Sequence, residues 1–147
     1  MSIEDDVVLL ERVPTLRLLG GAALRMVAIG SEFRDIPRGD LLFKQGDDAD
    51  SGFVVQRGAF RIDDGAGAET TVGPGTLIGE LALVVPMKRP ANATALEYSS
   101  VIRIARSLFQ RVLESDPAAA VRLRDEFAVR SSQIASDILI AGAKLSG

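Results

Sequence analysis

Gly73-Pro74-Gly75-Thr76-Leu77-Ile78-Gly79-Glu80-Leu81-Ala82-Leu83, followed beyond Met87 by Lys88-Arg89-Pro90-Ala91-Asn92-Ala93-Thr94-Ala95, is the most informative stretch of this chain. A glycine turn leads through a short strand into Gly79-Glu80, and a short helical turn is predicted from Leu81 toward Arg89. The start of such a turn offers unpaired backbone N–H groups and partial positive charge, which suit an anionic oxygen. Gly79 has no Cβ and lets that oxygen come close. Arg89 can close over the same anion with a forked pair of hydrogen bonds. A desolvated contact of this kind contributes about 1.5 to 3 kcal/mol. An acidic residue beside an anion needs a donor of its own, because an ionised carboxylate only accepts. A sugar hydroxyl next to a phosphate explains Glu80 best.

Working outward, residues 33 to 104 are short segments rich in Val, Ile and Phe. They are cut by Pro37-Arg38-Gly39-Asp40, Gly46-Asp47-Asp48, Arg57-Gly58, Asp63-Asp64-Gly65 and Gly73-Pro74-Gly75. Turn residues at this spacing predict a compact antiparallel barrel or roll. Phe53 and Val55 alternate with Val54 and Gln56, and Phe60 and Ile62 with Arg61 and Asp63. That alternation predicts a hairpin with one buried and one wet side. Ala91, Ala93 and Ala95 alternate inward, against a small ligand or a crowded wall.

Both ends carry helical spacing. Pro14 and Gly20-Gly21 divide residues 4 to 30 into two short helices, with Leu9, Leu10 and Val13 in one and Leu24, Val27 and Ala28 in the other. After Ser115-Asp116, Pro117 can open a last long helix. On it Leu123, Phe127, Ile134, Ile138 and Leu145 fall within about 60° of arc. Such a stripe either docks on this domain's own roll or forms a seam with a second copy. The expected architecture is α+β, mainly β: an antiparallel β-roll, or double-stranded β-helix, flanked by N-terminal helices and a long C-terminal helix. One domain spans residues 1–147, with helices over 1–32, the roll over 33–105 and helices over 106–147.

Composition narrows the chemistry. With 147 residues, 47% hydrophobic and 25% charged, the chain has room for one globular core. It contains no His and no Cys. That removes histidine bases, thiolate nucleophiles and the usual zinc ligands, and with them a histidine-metal enzyme of the cupin type. A non-catalytic protein without a metal is expected. The net charge of -3 repels polyanions, so nucleic acid is not an expected partner. The acidic start, Met1 to Asp6, does not read as a signal peptide, and Ile138 to Ala143 is too short to span a bilayer. A cytoplasmic location without membrane contact is expected.

Gly79-Glu80-Leu81-Ala82-Leu83 with Arg89 downstream resembles the phosphate-binding cassette of the cyclic-nucleotide-binding domain family. That family includes kinase regulatory subunits, catabolite activator proteins and gated channels. The likeness extends through Pro37 to Asp47, with its Gln45-Gly46-Asp47 loop, and through Phe53-Val54-Val55-Gln56-Arg57-Gly58. It implies a cassette over residues 78–91 whose ligand-binding set is Ile78, Gly79, Glu80, Leu81, Ala82, Arg89, Pro90 and Ala91. The side chains of Leu81 and Leu83 read as core, and Lys88 as a solvated neighbour. Arg89 and the Gly79-Glu80 backbone would hold the cyclic phosphate, Glu80 would accept from the ribose 2′-OH, and the last helix would be a lid over the base. Occupancy would bias a two-state equilibrium read by a protein effector or by a homodimer through the C-terminal helix.

One departure stands out. After the arginine the family usually carries a small residue whose N–H, and sometimes hydroxyl, faces the phosphate; here Pro90 has no N–H to give. The missing hydroxyl favours cyclic AMP over cyclic GMP. The alternative is a degenerate domain in which Glu80 and Arg89 pair over an empty pocket and the fold serves oligomerisation or partner binding. Catabolite-activator relatives carry a helix-turn-helix after the long helix, for which the residues beyond Pro117 leave no room, so no direct DNA contact is expected.

Overall fold

A computed structural model describes residues 2–129. Ser2 opens the first helix, α1 (Ile3–Glu11), its Oγ accepting from the Asp5 N–H at 3.2 Å, with Glu4, Asp5 and Asp6 in the first turn. Two more helices follow, α2 (Pro14–Arg17) and α3 (Gly21–Gly30). The sequence predicts two helices here and the structure has three. Pro14 does more than interrupt: at the first helical position its fixed φ starts a single turn of its own.

The roll consists of β1 (Glu32–Ile36), β2 (Leu41–Phe43), β3 (Asp48–Ala49), β4 (Ser51–Arg57), β5 (Phe60–Asp63), β6 (Glu69–Val72), β7 (Leu77–Ile78), β8 (Met87–Lys88), β9 (Asn92–Ala95) and β10 (Ser99–Ala105). A 3-10 turn, Glu80–Leu83, separates β7 from β8. Two four-stranded sheets, β1-β10-β4-β7 and β2-β9-β5-β6, and the small β3-β8 pair are antiparallel throughout. This is the expected β-roll with helices at both ends.

β4 corrects the expected hairpin. Phe53 and Val55 enter a cluster inside the roll with Phe60, Ile78, Ala95 and Val101. Val54, predicted on the wet side, is fully buried on the opposite face among Leu10, Leu24, Leu83, Ile102 and Phe109. From Ser51 to Val55 the strand lies between two cores and is buried on both faces, while Gln56 is half-buried and Arg57 exposed.

After β10 the chain enters α4 (Arg106–Ser115). Residues 117–129 are helical again, with the Asp116 carboxylate accepting from the Ala119 N–H at 3.2 Å. Arg122 ties this segment to the end of α2 and the residue beyond it, donating to the carbonyl of the C-cap Leu18 at 2.8 Å and to that of Leu19 at 3.3 Å. Leu123 and Phe127 of the predicted stripe pack into the helical core. Ile134, Ile138 and Leu145 lie outside the described residues. Among the described residues no helix is long and apolar enough to cross a membrane.

Asp6 sits in this helical layer, only 4% exposed, with Oδ1 lacking a partner. Burial pushes its carboxyl up from the ordinary value, and the neighbouring Asp5 carboxylate adds to this. A raised folded-state value means that folding favours the protonated form. Stability therefore declines as pH rises from the unfolded value, about 3.9, through the folded one. Asp6→Asn is expected to raise stability at pH 7 and to change little below pH ~4. Urea denaturation at the two pH values checks this; an equal effect at both would refute it.

Candidate functional site

Arg89 is fixed at both ends. Its backbone N–H donates to the Asp47 carbonyl at 2.8 Å and its carbonyl accepts from the Gly46 N–H at 2.9 Å, so the Gln45-Gly46-Asp47 loop brackets it. The side chain is 4% exposed. Nη2 donates to the Ser51 carbonyl at 2.8 Å and to Ser51 Oγ at 3.3 Å. The guanidinium lies 4.2 Å from the centroid of the Phe43 ring and 5.5 Å from that of Phe53. Nε has no partner.

Opposite Arg89 stands Gly79. Its φ of 78° and ψ of 36° place it in the left-handed region, and a Cβ there would fall 2.5 Å from Arg89 Nη1. Glycine is required twice over, by the backbone and by the close approach. Glu80, half-buried, begins the 3-10 turn directly after it.

These groups line a cavity of about 280 Å³. Its wall brings together Ile78, Gly79, Glu80, Leu81, Ala82, Arg89, Pro90 and Ala91, and adds Phe43, Ile62 and Met87. Burial lowers the Arg89 pKa below the ordinary guanidinium value; the Asp50 and Asp47 carboxylates oppose this, while Arg103 and Arg106 reinforce it. Asp50 is itself partly desolvated, yet a hydrogen bond from Ser51 and the Arg103 charge hold it below the usual carboxylate range. Arg103 bridges Asp50 and Glu32, each at 3.3 Å. The result is a mostly apolar chamber with a cation in its wall. Such a chamber suits a compact organic anion rather than a free divalent cation.

The sequence pattern of the cyclic nucleotide-binding domain matches residues 33–116. The chain belongs to that family. Among solved structures it is similar to a cyclic nucleotide-binding-like protein from Brucella abortus, at 33% identity and TM-score 0.67, covering 75% of this chain and 98% of that one. It is also similar to the N-terminal domain of a transcriptional regulator from Streptomyces coelicolor A3(2), at 29% identity and TM-score 0.80, covering 88% and 94%. Among curated proteins, lysophospholipase nte1 of Neurospora crassa is 26% identical over 92% of this chain. The domain spans only 9% of that enzyme's length.

Within the domain, one sequence expectation changes. Leu81, read as core, is 50% exposed at the cavity rim, because the 3-10 turn rotates it outward while Ala82 and Leu83 point in. Lys88 is exposed and ion-paired with Asp48, as a solvated neighbour would be. Of the inward alanines, Ala91 lines the cavity whereas Ala93 and Ala95 are fully buried in the roll.

Sequence reasoning missed Ser51, Phe43 and Phe53 as the groups that hold the guanidinium. Ser51 acts chiefly through its backbone carbonyl, which no residue type advertises. Phe53 reads only as one side of a hairpin, and nothing in the sequence singles out Phe43. Asn92 was also missed: its Oδ1 accepts from the Gln45 N–H at 2.8 Å and its Nδ2 donates to Asp63 at 3.4 Å, anchoring the loop that brackets Arg89.

Proposed function

We propose that this domain is a non-catalytic regulatory module that binds a cyclic nucleotide. Arg89 and the Gly79-Glu80 backbone hold the cyclic phosphate, Glu80 accepts from the ribose 2′-OH, and the remaining wall of the cavity contacts the nucleoside. One observation carries this reading: a guanidinium 4% exposed, with an unpartnered Nε, stands in the wall of an apolar cavity beside a glycine that leaves room for it. An ionised group is costly to bury without a counter-charge, and a phosphodiester supplies one. Cyclic AMP is the preferred ligand, since position 90 offers no hydroxyl to a guanine. The last helix carries the signal to a protein effector or to a second copy of the chain.

Titration calorimetry with cyclic AMP and cyclic GMP tests this: heat with cyclic AMP, and a weaker response to cyclic GMP, are expected. Silence with both would establish the second reading, a domain of the same fold that serves assembly. Pro90 is the feature that favours that alternative, because it withholds a backbone donor at the site's edge. Pro90→Ala restores the N–H without altering the charge. It is expected to tighten cyclic AMP binding about tenfold, the effect of one added hydrogen bond of about 1.4 kcal/mol. Unchanged or weaker binding in that variant would show that no phosphate oxygen faces position 90.

A further inference from the structure

We propose that Arg106 is a positioning residue for this site, holding the end of the 3-10 turn against the backbone that supports Arg89; the inference rests on the ligand reading above. Arg106 is the first residue of α4, a helix with no acidic side chain in its first turn. A cation at that position opposes the helix dipole, so local preference does not explain it. Its contacts do. Nη1 donates to the Ala49 carbonyl at 2.9 Å, the Val85 carbonyl at 3.2 Å and the Ala82 carbonyl at 3.4 Å, while its backbone N–H donates to the Asp50 carbonyl at 2.8 Å.

These acceptors belong to the two halves of the site. Ala82 lies in the turn that follows Gly79, and Val85 just beyond it. Ala49 and Asp50 directly precede Ser51, the residue that accepts from Arg89. Nη1 has two hydrogens for three carbonyls, so at least one is shared, and the carbonyls must converge to share it. One guanidinium therefore sets the spacing between the turn and the Arg89 support, and it does so from the start of α4. A shift of α4 would be felt at both.

Hydrogen exchange and calorimetry on the full chain, with Arg106→Met and Arg106→Lys, test the assignment. The amides of Ala82, Val84 and Val85 donate to the carbonyls of Gly79, Leu81 and Leu81 and report the turn directly. In unliganded Arg106→Met they are expected to exchange about tenfold faster, with the amides of β4 and β10 unchanged. The dissociation constant for cyclic AMP is expected to rise about tenfold in the same variant. Arg106→Lys, with one compact donor head, should fall between the two on both measurements.

Unchanged exchange in the turn, or an affinity within twofold of wild type, would overturn the proposal. So would faster exchange throughout the roll or failure of both variants to fold, since Arg106 would then support the whole domain. A wild-type chain silent to both nucleotides would instead sink the ligand reading, and the exchange measurement alone would decide whether Arg106 holds the turn.

Discussion

Arg89→Met is expected to abolish measurable cyclic AMP binding, a loss of at least about a hundredfold, while leaving the unliganded domain at least as stable as wild type. Both halves follow from burial. The guanidinium is 4% exposed among apolar walls, and its pKa is lowered chiefly by desolvation. Before a ligand arrives it holds a full positive charge that the Ser51 carbonyl and two aromatic faces only partly satisfy. Methionine fills much of the same volume, keeps the contact with Phe43 and Phe53, and removes the desolvation cost. The opposing loss, an undonated Ser51 carbonyl, is about 1 kcal/mol. With ligand present the balance reverses, because the phosphodiester loses its paired charge in a low-dielectric chamber. Thermal melts with and without cyclic AMP separate the terms: the ligand-induced shift should vanish while the baseline melting temperature holds or rises. A variant that melts far lower yet still binds would make Arg89 a structural residue.

The legibility of this site in the sequence follows the same physics. Gly79, Glu80 and Arg89 announce themselves because special backbone geometry and paired chemistry restrict residue type. The roll is legible from its turn residues and alternating strands. What stays hidden depends on three-dimensional neighbours. Val54 looks like a solvent-facing position by alternation, and only the helices folding over β4 make it core. Leu81 looks like core, and only the tightness of a 3-10 turn turns it outward. Ser51 contributes a carbonyl that every residue has. Arg106 looks like an ordinary surface arginine at a helix start until its three carbonyl partners, drawn from two segments, are seen together.

Gly79→Ala should damage both the stability of the domain and its site. Alanine at φ 78° costs about 1–2 kcal/mol in backbone strain alone. Its Cβ would also stand 2.5 Å from Arg89 Nη1, a separation that requires something to move. The flexible partner is the guanidinium, so Arg89 shifts, weakening its bond to Ser51 and leaving the position that faces the phosphate. The expected result is a melting temperature lower by several degrees and an affinity for cyclic AMP reduced by about a hundredfold or more. The two costs can be separated. In Gly79→Ala combined with Arg89→Met the overlap with Nη1 is gone, so the double variant should be more stable than the sum of the single effects predicts. The residual deficit then measures backbone strain. Additive effects would mean that the methyl group and the guanidinium never compete for space, and that Gly79 is needed for its dihedral angles alone.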